Sequence, residues 1–194
     1  MAQGAGMIDM DERRPWTGHG NLLLIGPGGA GKSSLGSALA PLLDYRLVDL
    51  DAEFGRRIGP IGTFIRDEGY ERYKLRNSGL AGRLATEAAA PTLLVASSGF
   101  LTPDNPAAAL TANRKLLASW YSLCLLPSRD LEQAVAIIVS RQTQRAFSRD
   151  RAREEATIRA RYPVYAGLGD LIVFSAASPH AIARAIAERL SARA

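Results

Sequence analysis

The sequence contains very few residues of the kinds that form disulfides, metal centres and membrane spans. Its 194 residues include one cysteine and two histidines. A single cysteine cannot form an intramolecular disulfide, and His19 and His180 lack the spacing of a zinc site. No apolar run approaches the roughly 20 residues that cross a bilayer. We therefore expect no zinc centre and no membrane contact, and we expect Cys124, inside an apolar run, to be a buried structural thiol.

The first 20 residues also lack the apolar core of a secretory signal peptide, because acidic residues interrupt them. We expect residues 1–20 to form a flexible leader, residues 21–194 to form one domain, and the protein to be cytoplasmic. A chain of this length can bury roughly 70% of its unfolded surface in a single core.

Short apolar runs alternate along the chain with longer segments of helical periodicity. This alternation is typical of a parallel sheet covered by helices on both faces. The sequence therefore predicts an α/β fold with a five-stranded parallel sheet flanked by helices. The predicted strands are residues 22–25, 46–48, 92–96, 121–126 and 171–174, and the predicted helices include 34–43, 70–89, 130–142, 151–161 and 179–190.

Residues 26–33 read Gly-Pro-Gly-Gly-Ala-Gly-Lys-Ser, a complete G-x-x-x-x-G-K-S phosphate loop. The loop follows an apolar run and precedes a helical segment, which is the order that a phosphate site requires. Lys32 can reach the β- and γ-phosphates, and the Ser33 hydroxyl can ligate Mg²⁺. A glycine-rich turn without a ligand is the alternative. We predict that a nucleoside triphosphate is bound by Gly28, Gly29, Ala30, Gly31, Lys32, Ser33 and Ser34.

The chain is basic, with a formal net charge of +5 and arginines concentrated between residues 141 and 161. The sequence carries no helix-turn-helix, zinc-finger or aromatic RNA-binding signature. A basic patch beside a phosphate loop is explained by a polyanionic nucleotide, so we expect no nucleic acid partner. Nucleic acid binding through residues 141–161 is the weaker alternative.

Three elements together resemble the shikimate kinases. They are the phosphate loop, Asp49-Leu50-Asp51 after the second strand, and Arg161-Tyr162-Pro163-Val164-Tyr165 before the last strand. The resemblance covers roughly residues 20–192. It implies a three-layer P-loop kinase fold with a small lid, ATP as donor, Mg²⁺ as cofactor and a small hydroxylated molecule as acceptor. We expect a monomer or a weak dimer.

The resemblance also implies roles for the two aspartates. Asp49 would hold the hydration shell of Mg²⁺ together with Ser33, and Asp51 would bind the acceptor hydroxyl and act as its base. A carboxylate at the carboxyl end of a strand suits both tasks. The alternative is an acidic turn that caps the helix beginning near Ala52.

Five further residues take their predicted roles from the same resemblance. Arg145 would stabilise the transferring phosphate from the lid, and Arg141 would lie near adenine. Ser98, Gly99 and Arg161 would bind the acceptor. The competing interpretations are a solvated basic helix for the first pair and a turn without a ligand for Ser98 and Gly99.

The chain departs from the family pattern at the acceptor side. Glu71 and Lys74 replace the family's carboxylate-binding arginine and its glutamate, and Ser97-Ser98-Gly99-Phe100 replaces a triple glycine. Arg72 is adjacent but points about 100° around a helix. An acceptor that lacks a carboxylate, or carries an amine, would suit Glu71 better. We therefore predict a shikimate kinase, or a relative with altered acceptor specificity; a non-catalytic nucleotide or metabolite sensor is the alternative.

Overall fold

A computed structural model describes residues 7–145 and 151–192. Within them, six strands form one sheet: β1 (Asp9–Glu12), β2 (Leu22–Ile25), β3 (Arg46–Asp49), β4 (Thr92–Val95), β5 (Tyr121–Leu126) and β6 (Leu171–Phe174). Their order is β1-β6-β5-β2-β4-β3. Strands β2 to β6 are parallel, and β1 pairs antiparallel with β6.

The same residues form eight helices on the two faces of the sheet. None of them is long and apolar enough to cross a bilayer. The helices are α1 (Lys32–Leu43), α2 (Leu50–Arg57), α3 (Ile61–Glu68), α4 (Tyr70–Thr86), α5 (Ala107–Ser119), α6 (Leu131–Arg145), α7 (Arg151–Ala166) and α8 (Pro179–Ser191).

Strand β2 shows how the sheet separates two cores. Leu22 and Leu24 pack with residues of α1 and α8 on one face, whereas Leu23 and Ile25 pack with residues of α2, α4, α5 and α7 on the other. All four side chains are fully buried. Because both faces of the strand are covered, β2 is a continuous apolar run, which is typical of a parallel sheet between helices.

The α/β fold with helices on both faces is confirmed, and each of the five predicted strands is present. The strand count is corrected from five to six, because the sequence of β1 is polar and gives no apolar run. This strand is held by charge: Arg129 donates hydrogen bonds to Asp9 and Asp11, and Arg189 donates to Glu12.

The start of the chain is more ordered than the sequence suggested. Beyond β1, Trp16 is buried and its ring meets that of Tyr121 with centroids 4.9 Å apart. Arg14 donates two hydrogen bonds, of 2.8 and 2.7 Å, to the carboxylate of Asp170. The expectation of a flexible leader is therefore corrected for residues 9–16, which form an edge of the fold.

Asp170 anchors this N-terminal segment. Besides Arg14, its carboxylate accepts hydrogen bonds from the N–H and hydroxyl of Ser122, at 2.7 and 2.8 Å. Burial alone would raise the pKa of Asp170, but the hydrogen bonds from Arg14 and Ser122 outweigh it and leave the pKa below its ordinary value. Such a carboxylate stabilises the fold above its unfolded pKa of about 4, and this stabilisation is lost as the pH falls below that value.

We expect Asp170→Asn to lower the free energy of unfolding at pH 7 by about 1–3 kcal/mol. The variant should also lose less stability than the wild type between pH 5 and pH 3, since it no longer carries the titrating carboxyl. Urea denaturation across this pH range measures both effects. Asp67→Asn, at an exposed pair with Arg66, is the matched control. Equal acid sensitivity of the Asp170 variant and the wild type would contradict the prediction.

Candidate active site

The phosphate loop joins the end of β2 to the start of α1. At Gly26 φ is 145°, and a Cβ atom there would lie 2.5 Å from the carbonyl oxygen of Leu125. Only glycine fits that position. Gly31, with φ 105°, is the N-cap of α1, whose first N–H groups are available to an anion. Of the other residues predicted to bind phosphate, Gly28, Gly29 and Ala30 form the turn of the loop, and Ser33 and Ser34 lie in the first turn of α1.

Lys32 lies inside the curve of this loop. Its side chain is buried, with 8% exposed, and Nζ donates to the carbonyl oxygens of Gly26 and Pro27 at 2.8 and 3.0 Å. Burial lowers the pKa of Lys32 to about 8, and the carboxylate of Asp51 opposes that shift. An ammonium group on two neutral carbonyls can exchange them for the charged oxygens of a phosphate, which accept stronger hydrogen bonds.

Asp49 caps the helix that follows β3. Its Oδ1 accepts hydrogen bonds from the N–H groups of Asp51 and Ala52, at 3.0 and 3.2 Å. The alternative of an acidic turn that caps the helix is therefore correct for Oδ1. Neither of these two hydrogen bonds involves Oδ2. Within residues 7–145 and 151–192, no cluster of three or more His, Cys, Asp or Glu side chains could hold a metal ion.

Asp51 stands in the first turn of α2, close enough to Lys32 for their charges to interact. Its Oδ1 accepts a hydrogen bond from the hydroxyl of Ser97 at the end of β4, and the hydroxyl of Tyr73 lies 3.4 Å from the same oxygen. The carboxyl ends of β2, β3 and β4 thus bring the phosphate loop and this carboxylate to one edge of the sheet.

The structure brings together Ser98, Gly99 and Arg161, three of the four residues predicted to bind the acceptor. Nη1 of Arg161 donates to the hydroxyl of Ser98 at 3.1 Å, and Nη2 donates to the hydroxyl of Tyr70 at 3.3 Å. A Cβ atom on Gly99 would lie 3.4 Å from both Nη2 of Arg161 and the Tyr70 oxygen. Tyr165 donates to the carbonyl of Ser98 at 2.9 Å, so one end of α7 fixes both the arginine and the loop after β4.

Comparison with known proteins decides the family. A family model described as shikimate kinase matches residues 28–191. The chain belongs to the shikimate kinase family. A P-loop nucleotide-binding kinase is thereby confirmed, as the phosphate loop and the two later motifs predicted.

Individual shikimate kinases agree with this assignment. The enzyme of Thioalkalivibrio sulfidiphilus is 33% identical over 166 residues, which cover 79% of this chain and 77% of the relative. That of Thermobifida fusca is 30% identical over 173 residues, covering 88% and 94%. The structure of the Acinetobacter baumannii shikimate kinase in complex with shikimate has the same fold, with a TM-score of 0.69 at 21% identity, covering 93% of this chain and 95% of that one.

A cavity beside the phosphate loop is lined in part by Arg141. Arg141 donates hydrogen bonds of 3.2 Å to the carbonyls of Ala30 and Ala176, so it joins this loop to the one before α8. It lines a cavity of about 240 Å³ together with Gly29 and Pro179. The planar guanidinium suits a stacked base, and the adenine role of Arg141 stays a prediction.

The predicted lid includes residues that the structure does not describe. Arg145 is the last residue of α6, and its side chain, like residues 146–150 that follow, lies outside the described part of the chain. Its role at the transferring phosphate stays a prediction.

The departures from the shikimate kinase pattern on α4 have a clear arrangement. Glu71 is exposed, and Arg72 is 71% exposed and pairs with Glu68 at 2.5 Å. Arg72 therefore does not replace the carboxylate-binding arginine of the family. Lys74 is buried, and its Nζ donates at 2.6 Å both to the carbonyl and to the carboxylate of Asp104.

Sequence reasoning missed the face that α4 presents to the site. Tyr70, Tyr73 and Asn77 lie one and two turns apart, and the rings of the two tyrosines stack with centroids 5.7 Å apart. Tyr70 reaches Arg161, whereas Tyr73 reaches Asp51. Their i, i+3, i+7 spacing is a helical signal that was present in the sequence.

Proposed function

We propose that this member of the shikimate kinase family transfers the γ-phosphoryl group of ATP to a hydroxyl of a small polar acceptor, with shikimate as the first acceptor to test. The observation that carries the proposal is the grouping of the loop lysine, Lys32, with the carboxylate of Asp51. Phosphoryl transfer needs positioning and charge neutralisation more than covalent chemistry, and this pair supplies one group for each partner of the reaction.

In the proposed reaction the acceptor hydroxyl gives its proton to Asp51 while its oxygen forms a bond to the γ-phosphorus. The bond from that phosphorus to the β,γ-bridging oxygen breaks, and ADP leaves. Lys32 neutralises the phosphates throughout. Arg145 is proposed to add positive charge from the lid, where closure would also exclude water.

The residues present fit a magnesium ion bound with ATP. The hydroxyl of Ser33 and Oδ2 of Asp49 are hard oxygen donors, which Mg²⁺ prefers, and a site with so few protein ligands relies on phosphates and waters for the rest. When bound, the ion would supply neutralisation of phosphate charge.

The acceptor side supports one anion contact. Arg161 is held by Ser98 and Tyr70 in a position to receive a carboxylate, but Lys74 is already paired with Asp104. Because Glu71 stands where the family has an arginine, we propose that Arg161 is the residue on which binding of an acceptor carboxylate depends. An acceptor that lacks a carboxylate then loses a single contact and is tolerated. Glu71 is exposed, and we therefore do not assign it as a binding partner for an amine on the acceptor.

A coupled ADP-release assay with shikimate and a panel of hydroxylated acids and amino-cyclitols tests the proposal. Turnover with shikimate supports the default acceptor, and faster turnover with an uncharged cyclitol supports altered specificity. Tight ATP binding without turnover on any acceptor would instead establish the sensor alternative.

We expect Arg161→Lys to raise the KM for a carboxylate-bearing acceptor about 10-fold, because a lysine cannot form the two parallel hydrogen bonds of a guanidinium. The KM for ATP should stay within about twofold. Steady-state kinetics at saturating ATP measures the first value. Arg159→Lys is the matched control, since Arg159 lies on the same helix as Arg161 and forms an exposed ion pair with Glu132. An unchanged acceptor KM would remove Arg161 from the acceptor site.

A further inference from the structure

Behind Asp51 lies a buried polar network that the proposed reaction does not itself use. Nδ2 of Asn77 lies 3.0 Å from the hydroxyl of Ser97 and 3.5 Å from that of Tyr73. Both hydroxyls contact Oδ1 of Asp51. Asn77 and Ser97 are 4% and 5% exposed, so both side chains are shielded from bulk water.

We propose that Ser97 and Asn77 are positioning residues that hold the Asp51 carboxylate through Oδ1 and leave Oδ2 for the acceptor hydroxyl. This inference rests on the proposed kinase function and names the residues that orient its base. The carboxylate contacts found among the described side chains all fall on Oδ1, which divides the two oxygens between the protein and the substrate.

The direction of the hydrogen bonds follows from the chemistry of the groups. Ser97 has one proton, and Asp51, as a carboxylate, can only accept. If the amide oxygen of Asn77 faced Ser97, the hydroxyl proton of Ser97 would lie between two acceptors, Asn77 and Asp51. It could bond to only one of them, and the serine oxygen would repel the other. With the amide nitrogen facing Ser97, the serine accepts from Asn77 and gives its proton to Asp51 in a charge-assisted bond.

Packing alone does not explain these polar side chains. Leu80 and Leu84 continue the buried part of α4 into the apolar core, so an apolar residue at position 77 would extend that core. Burying an amide costs free energy unless its hydrogen bonds are made. Here the amide nitrogen makes its hydrogen bonds to the two hydroxyls at Asp51, which ties the presence of Asn77 to that carboxylate.

The test compares Ser97→Ala, Ser97→Gly and Asn77→Leu with the control Ser78→Ala. Ser78 is a buried neighbour on α4 whose hydroxyl donates to the carbonyl of Ala109. We expect the Ser97 and Asn77 variants to lower kcat about 10-fold, as loss of an orienting partner does at other sites, with the KM for ATP within about twofold. Ser78→Ala should keep kcat within about twofold. Urea denaturation establishes that each variant is folded.

A double-mutant cycle with Asp51→Asn separates orientation from general damage to the fold. If Ser97 acts through Asp51, then Ser97→Ala should change the residual rate of the Asp51→Asn protein by less than about twofold, because coupled residues are not additive. A full further 10-fold loss in that background would overturn the inference, as would a kcat of all three variants equal to the control. In either case an active wild type leaves the proposed function standing, whereas a wild type without turnover overturns both.

Discussion

Replacing Lys32 with methionine is expected to lower kcat about 10³-fold and to weaken ATP binding. The methionine fills a similar volume but leaves the carbonyls of Gly26 and Pro27 without their donor and the phosphates without their cation. A buried positive charge is worth more to a developing negative charge than an exposed one, since little water screens it. ADP release at saturating acceptor and calorimetric titration with ATP measure the two effects.

The pH dependence of ATP binding gives an independent readout of the same residue. With a pKa of about 8 in the free protein, Lys32 is charged at pH 7 and mostly neutral at pH 9. Because ATP binding needs the charged form, the affinity of the wild type should fall about 10-fold between these pH values beyond any change seen in Lys32→Met. The change in affinity measured for Lys32→Met between the two pH values corrects the wild-type change for the titration of the nucleotide.

Lys74→Met is the matched control, because Lys74 is the other buried lysine of the described residues and pairs with Asp104 on the acceptor side. Its ATP affinity should stay within about twofold of the wild type. If Lys32→Met bound ATP as tightly as this control and kept its turnover, the loop would not be the phosphate site.

The fold was predictable where burial leaves a local trace in the sequence. Strand β2 is covered on both faces, and so its four residues are all apolar and mark it clearly. Strand β1 is Asp-Met-Asp-Glu, and its carboxylates are held by two arginines that are each more than one hundred positions away. Pairing between distant charges has no period within the strand, so the same reasoning took this segment for a leader.

The site divides in the same way. The phosphate loop is one continuous motif in the sequence. The need for glycine at Gly26 is explained by the backbone of the neighbouring strand, which approaches this position closely. The network around Asp51 joins α2, α4 and the end of β4. The helical spacing of Tyr73 and Asn77 indicates that they share a face, but only the docking of α4 shows that this face meets Asp51. The orientation of Arg72 needed the same information.

Replacing Asp51 with asparagine is expected to lower kcat about 10³-fold while the affinity for ATP stays within about twofold. Asparagine has the same shape and can still accept a hydrogen bond from Ser97, but it cannot take the proton of an acceptor hydroxyl. The loss should therefore fall on the chemical step rather than on binding. Single-turnover rates with saturating ATP and acceptor measure that step directly.

Asp49→Asn is the matched control, since it changes the neighbouring carboxylate in the same way. Asparagine is as good an N-cap as aspartate, so the helix that follows β3 should remain capped and the fold intact. Its expected defect is a higher Mg²⁺ concentration for the half-maximal rate, with most of kcat recovered at saturating Mg²⁺. Asp51→Asn should gain nothing from added Mg²⁺, because what it lacks is a proton acceptor. If the two variants exchanged these behaviours, the roles proposed for the two aspartates would have to be exchanged as well.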